Sequence, residues 1–224
     1  MNNLWVVIPA MNEGSCIHDV VRGVRDLFKQ VVVVDDGSID DTVERALDAG
    51  AIVVRHPVNL GQGASIQTGI EYALEQGAEL IATFDADGQH QPEDLVRLVS
   101  ALEAAGADIA LGSRFLGDAP GISIGRRALL RLAIWYTILS TGLMLSDAHN
   151  GLRVFTRAAA TRIRITQNRM AHASEILEAI ATLKLQFVEV PVTIKYTEYS
   201  KQKGQRSGDA LKILTDLFVG RFHN

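Results

Sequence analysis

Residues 31–56 read VVVVDDGSIDDTVERALDAGAIVVRH. The β-branched run Val31–Val34 has no polar alternation, so it suits a strand buried on both faces. It stops at Asp35 and Asp36. In the next segment, DDTVERALDAG, the apolar spacing is helical, with Asp40 as a plausible N-cap and Gly50 as the C-terminal stop. AIVVRH is a second strand. Strand, helix and strand in close succession predict a parallel crossover unit.

The same rhythm continues on both sides. LWVVIP is strand-like, and SCIHDVVRGVRDLF has helical spacing at Ile17, Val20, Val21, Val24 and Leu27. Downstream, GASIQTGIEYALEQG is a helix, ELIATF a strand, PEDLVRLVSALEAAG a helix and DIALGS a strand. The expectation is an α/β fold, a Rossmann-like and mostly parallel sheet with helices on both faces. After Arg114 the alternation breaks. A loop, LGDAPGISIG, leads into a long helix from about Arg126 to Leu145, then a short strand LRVF, a helix around HASEILEAIATLK and a strand QFVEVPVTIKY. TEYSKQKGQRSG is polar and basic without apolar period and reads as a mobile loop. DALKILTDLFVGRF reads as an amphipathic helix.

With 224 residues and neither linker nor repeat, one compact domain is expected. The net charge of −4 gives no basic footprint of a nucleic-acid binder. Cys16 is the single cysteine, so no internal disulfide is available. The greasy segment 128–145 is interrupted by Arg131 and falls short of the roughly 20 apolar residues a spanning helix needs.

Ligands of open α/β sheets bind beyond the carboxyl ends of the strands. Four such ends carry polar loops here: PAMNEG (9–14), DDGS (35–38), NLGQGAS (59–65) and DADGQ (85–89). Any one of them is ordinary turn chemistry. Together they crowd carboxylates onto one edge, which calls for a cation. Asp85, Asp87 and Gln89 offer hard oxygen donors, a set suited to Mg²⁺ or Mn²⁺, whose coordination is completed by water and phosphate oxygens. Such an ion would neutralise a diphosphate leaving group. No cysteine cluster or paired histidine spacing supports zinc.

VVIPAMNEG, VVVVDDGSIDDT, NLGQGASIQTGI, FDADGQHQPEDL and LGSRF occur in the order and near the spacing of family 2 glycosyltransferases, and DAHNGLRVF, EVPVTI and YSKQKGQR extend the match. The chain resembles that family, of GT-A fold, and most closely its polyprenyl-phosphate sugar synthase branch, similar to dolichyl-phosphate mannose synthases. The resemblance implies a nucleotide-binding half (1–115), an acceptor-side half (116–206) and a C-terminal amphipathic helix (207–224). It implies that Pro9, Met11 and Glu13 contact the nucleotide and that Asp36 meets the base. Asp85, Ala86 and Asp87 match the metal and diphosphate motif, with Gln89 a third metal contact. Arg114 matches an arginine near the donor or acceptor phosphate, and Asp147 and Gly151 the acceptor-side loop. Lys201, Lys203 and Arg206 fall in the basic loop that closes over a phosphate. Two departures stand out: Gln62 lies where many relatives carry lysine or arginine, and YSKQKGQR replaces a GESK-type motif, which weakens any transfer of mannose as the donor sugar.

The activity so implied is inverting transfer from a UDP-, GDP- or dTDP-sugar to a polyprenyl phosphate, or to a sugar hydroxyl of a glycan precursor for the cell envelope. A hydroxyl acceptor needs a general base, for which Glu175 and Asp147 are candidates. An anionic phosphate acceptor needs none. Glu175 equally suits a helix first turn, and His149 and His172 read as structural. On the long helix, Leu129, Leu132, Trp135, Tyr136, Leu139 and Leu143 share one face, expected to be a core contact. The flanking arginines and the Trp–Tyr pair also suit a membrane interface. The C-terminal helix repeats the pattern with Leu211, Leu214, Leu217, Phe218 and Phe222. Either surface would place the chain peripherally at the cytoplasmic face of the membrane, on lipid or on a small membrane protein. Other classes fit less well. A nucleotidyltransferase would need a Gly-rich loop bearing Arg and Lys, and a receiver-like module would leave DADGQ unexplained. A non-catalytic nucleotide-binding subunit would carry the same carboxylates.

Overall fold

The computed structural model describes residues 3–118, 120, 122, 124–148, 150–168 and 171–195. His149, the basic stretch with Lys201, Lys203 and Arg206, and the helix expected at 207–224 lie outside the described residues.

Seven strands form one sheet: β1 (Leu4–Ala10), β2 (Gln30–Asp35), β3 (Ile52–Arg55), β4 (Leu80–Thr83), β5 (Ile109–Asp118), β6 (Arg153–Thr156) and β7 (Phe187–Thr193). Their order is β3-β2-β1-β4-β6-β5-β7. The pairs β1–β2, β1–β4, β2–β3 and β5–β7 are parallel, while β6 runs antiparallel to both neighbours. The sheet is therefore mostly parallel, and LRVF is the reversed strand. Because β4 and β5 both oppose β6, they point the same way. The carboxyl ends of β1, β2, β4 and β5 thus share one edge, and β6 enters from it.

Both faces are covered. Leu4, Val6, Ile8, Val31 and Val33 pack on α1 (Ile17–Arg25), α2 (Thr42–Asp48) and α4 (Pro92–Ala105). Trp5, Val7, Val32 and Val34 face α3 (Gln62–Glu75), α6 (Arg157–Arg162) and α7 (His172–Leu183). Uninterrupted valines are what a strand with two dry faces requires. Gly69 brings α3 against β1, since a Cβ there would lie 2.2 Å from Val7 Cγ1.

Local differences from expectation have local causes. Asp41, not Asp40, is the N-cap of α2. Asp40 stands one residue further out and accepts from the backbone N–H groups of Thr42 and Gly14 at 3.1 and 3.0 Å, tying the 12–14 loop to α2. α1 ends at Arg25, which leaves Leu27 beyond the helix and exposed.

The long helix α5 spans Ile124–Thr141, not Arg126–Leu145. It stops where Thr141 Oγ1 accepts from Leu143 N–H at 3.2 Å and Gly142 turns to a φ of +73°. Its expected core face is also corrected. Leu132, Trp135 and Leu139 are 50%, 60% and 64% exposed, while Ala133 and Thr137 are buried. The helix docks through these small side chains, one turn apart, with Ile134 packed on the lower core. Small residues allow close approach and leave the bulky stripe outside. No helix among the described residues is long and apolar enough to cross a membrane.

Candidate functional site

A cavity of about 510 Å³ opens at the shared strand edge. Of the residues singled out from sequence, Pro9, Met11, Glu13, Asp36, Asp85, Ala86, Asp87, Gln89, Arg114 and Gly151 line it. Asp147 and Glu175 do not.

The wall beyond the ends of β1 and β2 is built by hydrogen bonds between loops. Asp36, at the end of β2, accepts from Leu60 and Gly61 N–H at 2.9 and 2.7 Å and pairs with His56 Nδ1 at 2.9 Å. His56 is itself held by Thr68 Oγ1 at 3.0 Å. A carboxylate has about four acceptor sites, so Asp36 fixes the 59–61 loop and keeps capacity for a ligand. On the neighbouring loop Ser38 Oγ accepts from Asn12 N–H at 2.8 Å, and Asn12 Oδ1 accepts from Ile39 N–H at 3.0 Å.

Asp85 and Asp87 leave β4 on one turn, which reverses at Gly88 with φ +72°. Asp85 Oδ2 pairs with His90 Nε2 at 2.9 Å, and Oδ1 accepts from Gln62 Nε2 at 3.2 Å. Burial pushes its carboxyl up, but the bond and charge of His90, with Arg153 and His172, outweigh this and hold it below the usual range. Asp87 accepts only from Gln89 N–H, at 3.0 Å, among the described residues. Burial, and then the charge of Asp85, push it up to about 6. Unbalanced negative charge on oxygen donors fits a divalent cation. Among the described residues no three His, Cys, Asp or Glu side chains converge as a closed cage. Protein donors in this number suit an ion whose remaining positions are filled by water and phosphate.

The opposite wall comes from β5 and β6. Arg114 is buried, and its Nε donates to Asp147 Oδ2 at 2.6 Å. Asp147 Oδ2 also accepts from Arg114 N–H at 3.1 Å, and its side chain has no exposed surface. The Asp147 carboxylate, expected as a base or a positioning group, thus lies behind Arg114 and anchors it. Glu175, the other base candidate, lies outside the cavity lining. It accepts from Thr166 N–H, Thr166 Oγ1 and Gln167 N–H at 2.9, 2.5 and 2.8 Å, clamping the segment before α7.

Sequence reasoning missed four polar side chains of this cavity or assigned them no role in it: His90, Asn150, Arg153 and His172, all buried. His90 follows the two aspartates in the same turn, and the i+5 spacing was its only signal. Arg153 is the second residue of LRVF and the first of β6, where a charge at the start of a short strand reads as an edge residue. Burial pulls its guanidinium down to about 10, against the opposing charges of Asp85 and Asp147.

The model of glycosyl transferase family 2 matches residues 5–169. A UDP-N-acetylglucosamine–dolichyl-phosphate N-acetylglucosaminyltransferase of Methanococcus voltae is 28% identical, over 96% of this chain and 95% of its own. A polyprenol monophosphomannose synthase of Mycolicibacterium smegmatis is 31% identical, over 92% and 82%. Among solved structures, glucosyl-3-phosphoglycerate synthase from Mycobacterium tuberculosis, in complex with Mn²⁺ and UDP-glucose, superposes with a TM-score of 0.71 at 19% identity, over 98% of this chain and 79% of that one. That likeness is one of fold, the GT-A architecture.

Proposed function

Because the chain belongs to glycosyl transferase family 2, we propose that it moves a sugar from a nucleotide-sugar donor, with inversion and with the help of a divalent ion, to the phosphate of a polyprenyl phosphate. The observation that carries this reading is the Asp85–Asp87 turn, set between the nucleotide-side loops of β1 and β2 and the Arg114 wall in one cavity. Asp85, Asp87 and Gln89 would hold Mg²⁺ or Mn²⁺, which supplies charge neutralisation for the departing nucleoside diphosphate. His90 and Gln62 keep Asp85 charged and oriented. Pro9, Met11, Glu13 and Asp36 form the nucleotide wall, with Asp36 holding the loop beside it. Asp147 fixes the Arg114 fork, a geometry suited to bidentate contact with phosphate.

The acceptor follows from the base question. Hydroxyl transfer needs a general base facing the acceptor, for which the sequence offered two carboxylates. Both candidates, Asp147 and Glu175, are occupied elsewhere. A lipid phosphate arrives ionised and needs orientation alone. Two relatives named above are named for lipid-phosphate acceptors while their sugars differ, which supports the acceptor class without choosing a donor. The exposed stripe of α5 would bring the site to the membrane surface that holds such a lipid. Peripheral placement at the cytoplasmic face, on lipid or on a small membrane protein, belongs to the same reading.

The test is transfer of label from UDP-, GDP- or dTDP-sugars to a short polyprenyl phosphate with Mn²⁺. One donor is expected to support transfer, and Asp87→Ala is expected to reduce it by at least about a hundredfold. Transfer that survives Asp87→Ala, or labels only glycan hydroxyls, would remove this reading.

A further inference from the structure

Two buried donors at the mouth of β6 meet no acceptor among the described residues. Arg153 is 2% exposed and Asn150 4%, and among the described residues Arg153 Nη1 and Asn150 Nδ2 have no hydrogen-bond partner. Buried donors left unpaired are costly and uncommon in native structures, which points to a bound partner here. Both residues line the cavity. The carboxylates whose charge Arg153 feels, Asp85 and Asp147, are engaged by His90 and Arg114.

The segment between them is built to a fixed position. Thr83 Oγ1 donates to Gly151 O at 2.6 Å. A Cβ on Gly151 would lie 2.2 Å from Asp85 Oδ2, so only glycine lets this backbone press against the aspartate turn. Asn150 Oδ1 accepts from Leu152 N–H at 3.0 Å. That bond sets the carboxamide's orientation and leaves its N–H₂ end for something else. A guanidinium beside an amide N–H₂ offers donors and one positive charge, the complement of a phosphoryl group. A neutral hydroxyl would bring no charge to balance a buried guanidinium.

Topology separates this pair from the donor. The nucleotide-side loops follow β1, β2 and β3, on one side of β4, whereas Arg153 opens β6, on the other, and Asn150 lies in the segment that leads into it. We propose that Arg153 and Asn150 form the subsite for the terminal phosphoryl group of the acceptor, distinct from the cation-linked diphosphate of the donor. This rests on the polyprenyl-phosphate reading above and assigns residues to it. Arg153 fixes the phosphoryl oxygens not used in bond formation, and Asn150 donates to the same group.

The experiment is calorimetric binding of two probes to the full chain: farnesyl phosphate, and whichever of UDP, GDP or dTDP binds in the presence of Mn²⁺. Arg153→Lys and Asn150→Ala are each expected to weaken farnesyl phosphate by about tenfold or more, the loss of one charge-assisted bond, and to leave the nucleotide's Kd within about twofold. Should the buried Arg153→Lys fail to fold, Asn150→Ala carries the comparison. Unchanged farnesyl phosphate binding in folded variants overturns the subsite and leaves the proposed activity standing. A loss that falls on the nucleotide instead moves these residues to the donor side and also overturns it. If the wild-type chain binds nucleotide but no farnesyl phosphate, the acceptor reading falls together with the subsite.

Discussion

Asp85 and Asp87 sit one residue apart and are shifted in opposite directions, because the bond and charge of His90, with Arg153 and His172, outweigh the burial of Asp85, whereas at Asp87 burial and the charge of Asp85 outweigh the Gln89 N–H and the charge of His90. The same logic applies to Arg114 and Asp147. Removing one member of a buried pair strands the other's charge. Asp147→Asn is therefore expected to lower unfolding stability by about 3 kcal/mol in urea titrations and to slow transfer by loosening Arg114. Glu175→Gln, at a residue that engages Thr166 and the Gln167 N–H outside the cavity, is expected to leave transfer at the wild-type rate; a hundredfold loss would assign Glu175 the role of base. Asp85, Asp87 and Arg114 were legible as residues of one cavity because each belongs to a short motif at a strand end. Asp147 and Glu175 were not, since a carboxylate's partner depends on which distant donor the fold brings to it. Arg153 was missed for the converse reason: nothing local marks a strand residue whose neighbours are Asp85 and Asp147.

At the scale of elements, boundaries follow hydrogen bonds that composition does not announce. α1, α3 and α4 fall close to where their periodicity puts them, with Pro92 opening α4 and Gly106 closing it in the left-handed region. α5 was misjudged because its helical wheel shows an apolar face without saying what covers it. Only the structure shows Ala133 and Thr137 inward and Leu132, Trp135 and Leu139 outward. A stripe of this kind beside exposed Arg127 and Arg131 matches an interfacial helix. The chain is expected to co-sediment with anionic vesicles, and Leu132→Asp combined with Trp135→Asp is expected to abolish it while the melting temperature holds. Equal sedimentation of the variant would assign membrane contact to another surface.

For the whole molecule, a ligand that binds only the native state raises its stability by mass action, about 2.7 kcal/mol at a hundredfold excess over Kd. The correct nucleoside diphosphate is expected to raise the melting temperature with Mn²⁺ and to lose most of that shift on chelation. A shift of equal size without metal would argue that protein donors alone hold the diphosphate. The α/β class and the convergence of loops on one edge were readable from strand–helix alternation. The reversal of β6 was not. A four-residue apolar strand after a long excursion carries no sign of its direction, which is set by the edge from which the chain returns.

That reversal also bears on how the chain folds. β3, β2, β1 and β4 form a contiguous parallel block from residues 4–83, complete early in synthesis. β5 follows but touches none of them in the sheet; its neighbours, β6 and β7, emerge later. Long-range pairing of this kind is slow to close. In pulsed hydrogen exchange during refolding, amides of Val31–Val34 are expected to gain protection before those of Val154 and Phe155, and simultaneous protection would contradict this order. The aspartate turn would then exist on a nascent chain before Arg114 and Arg153 arrive to face it, so the two walls of the cavity are separate events in time.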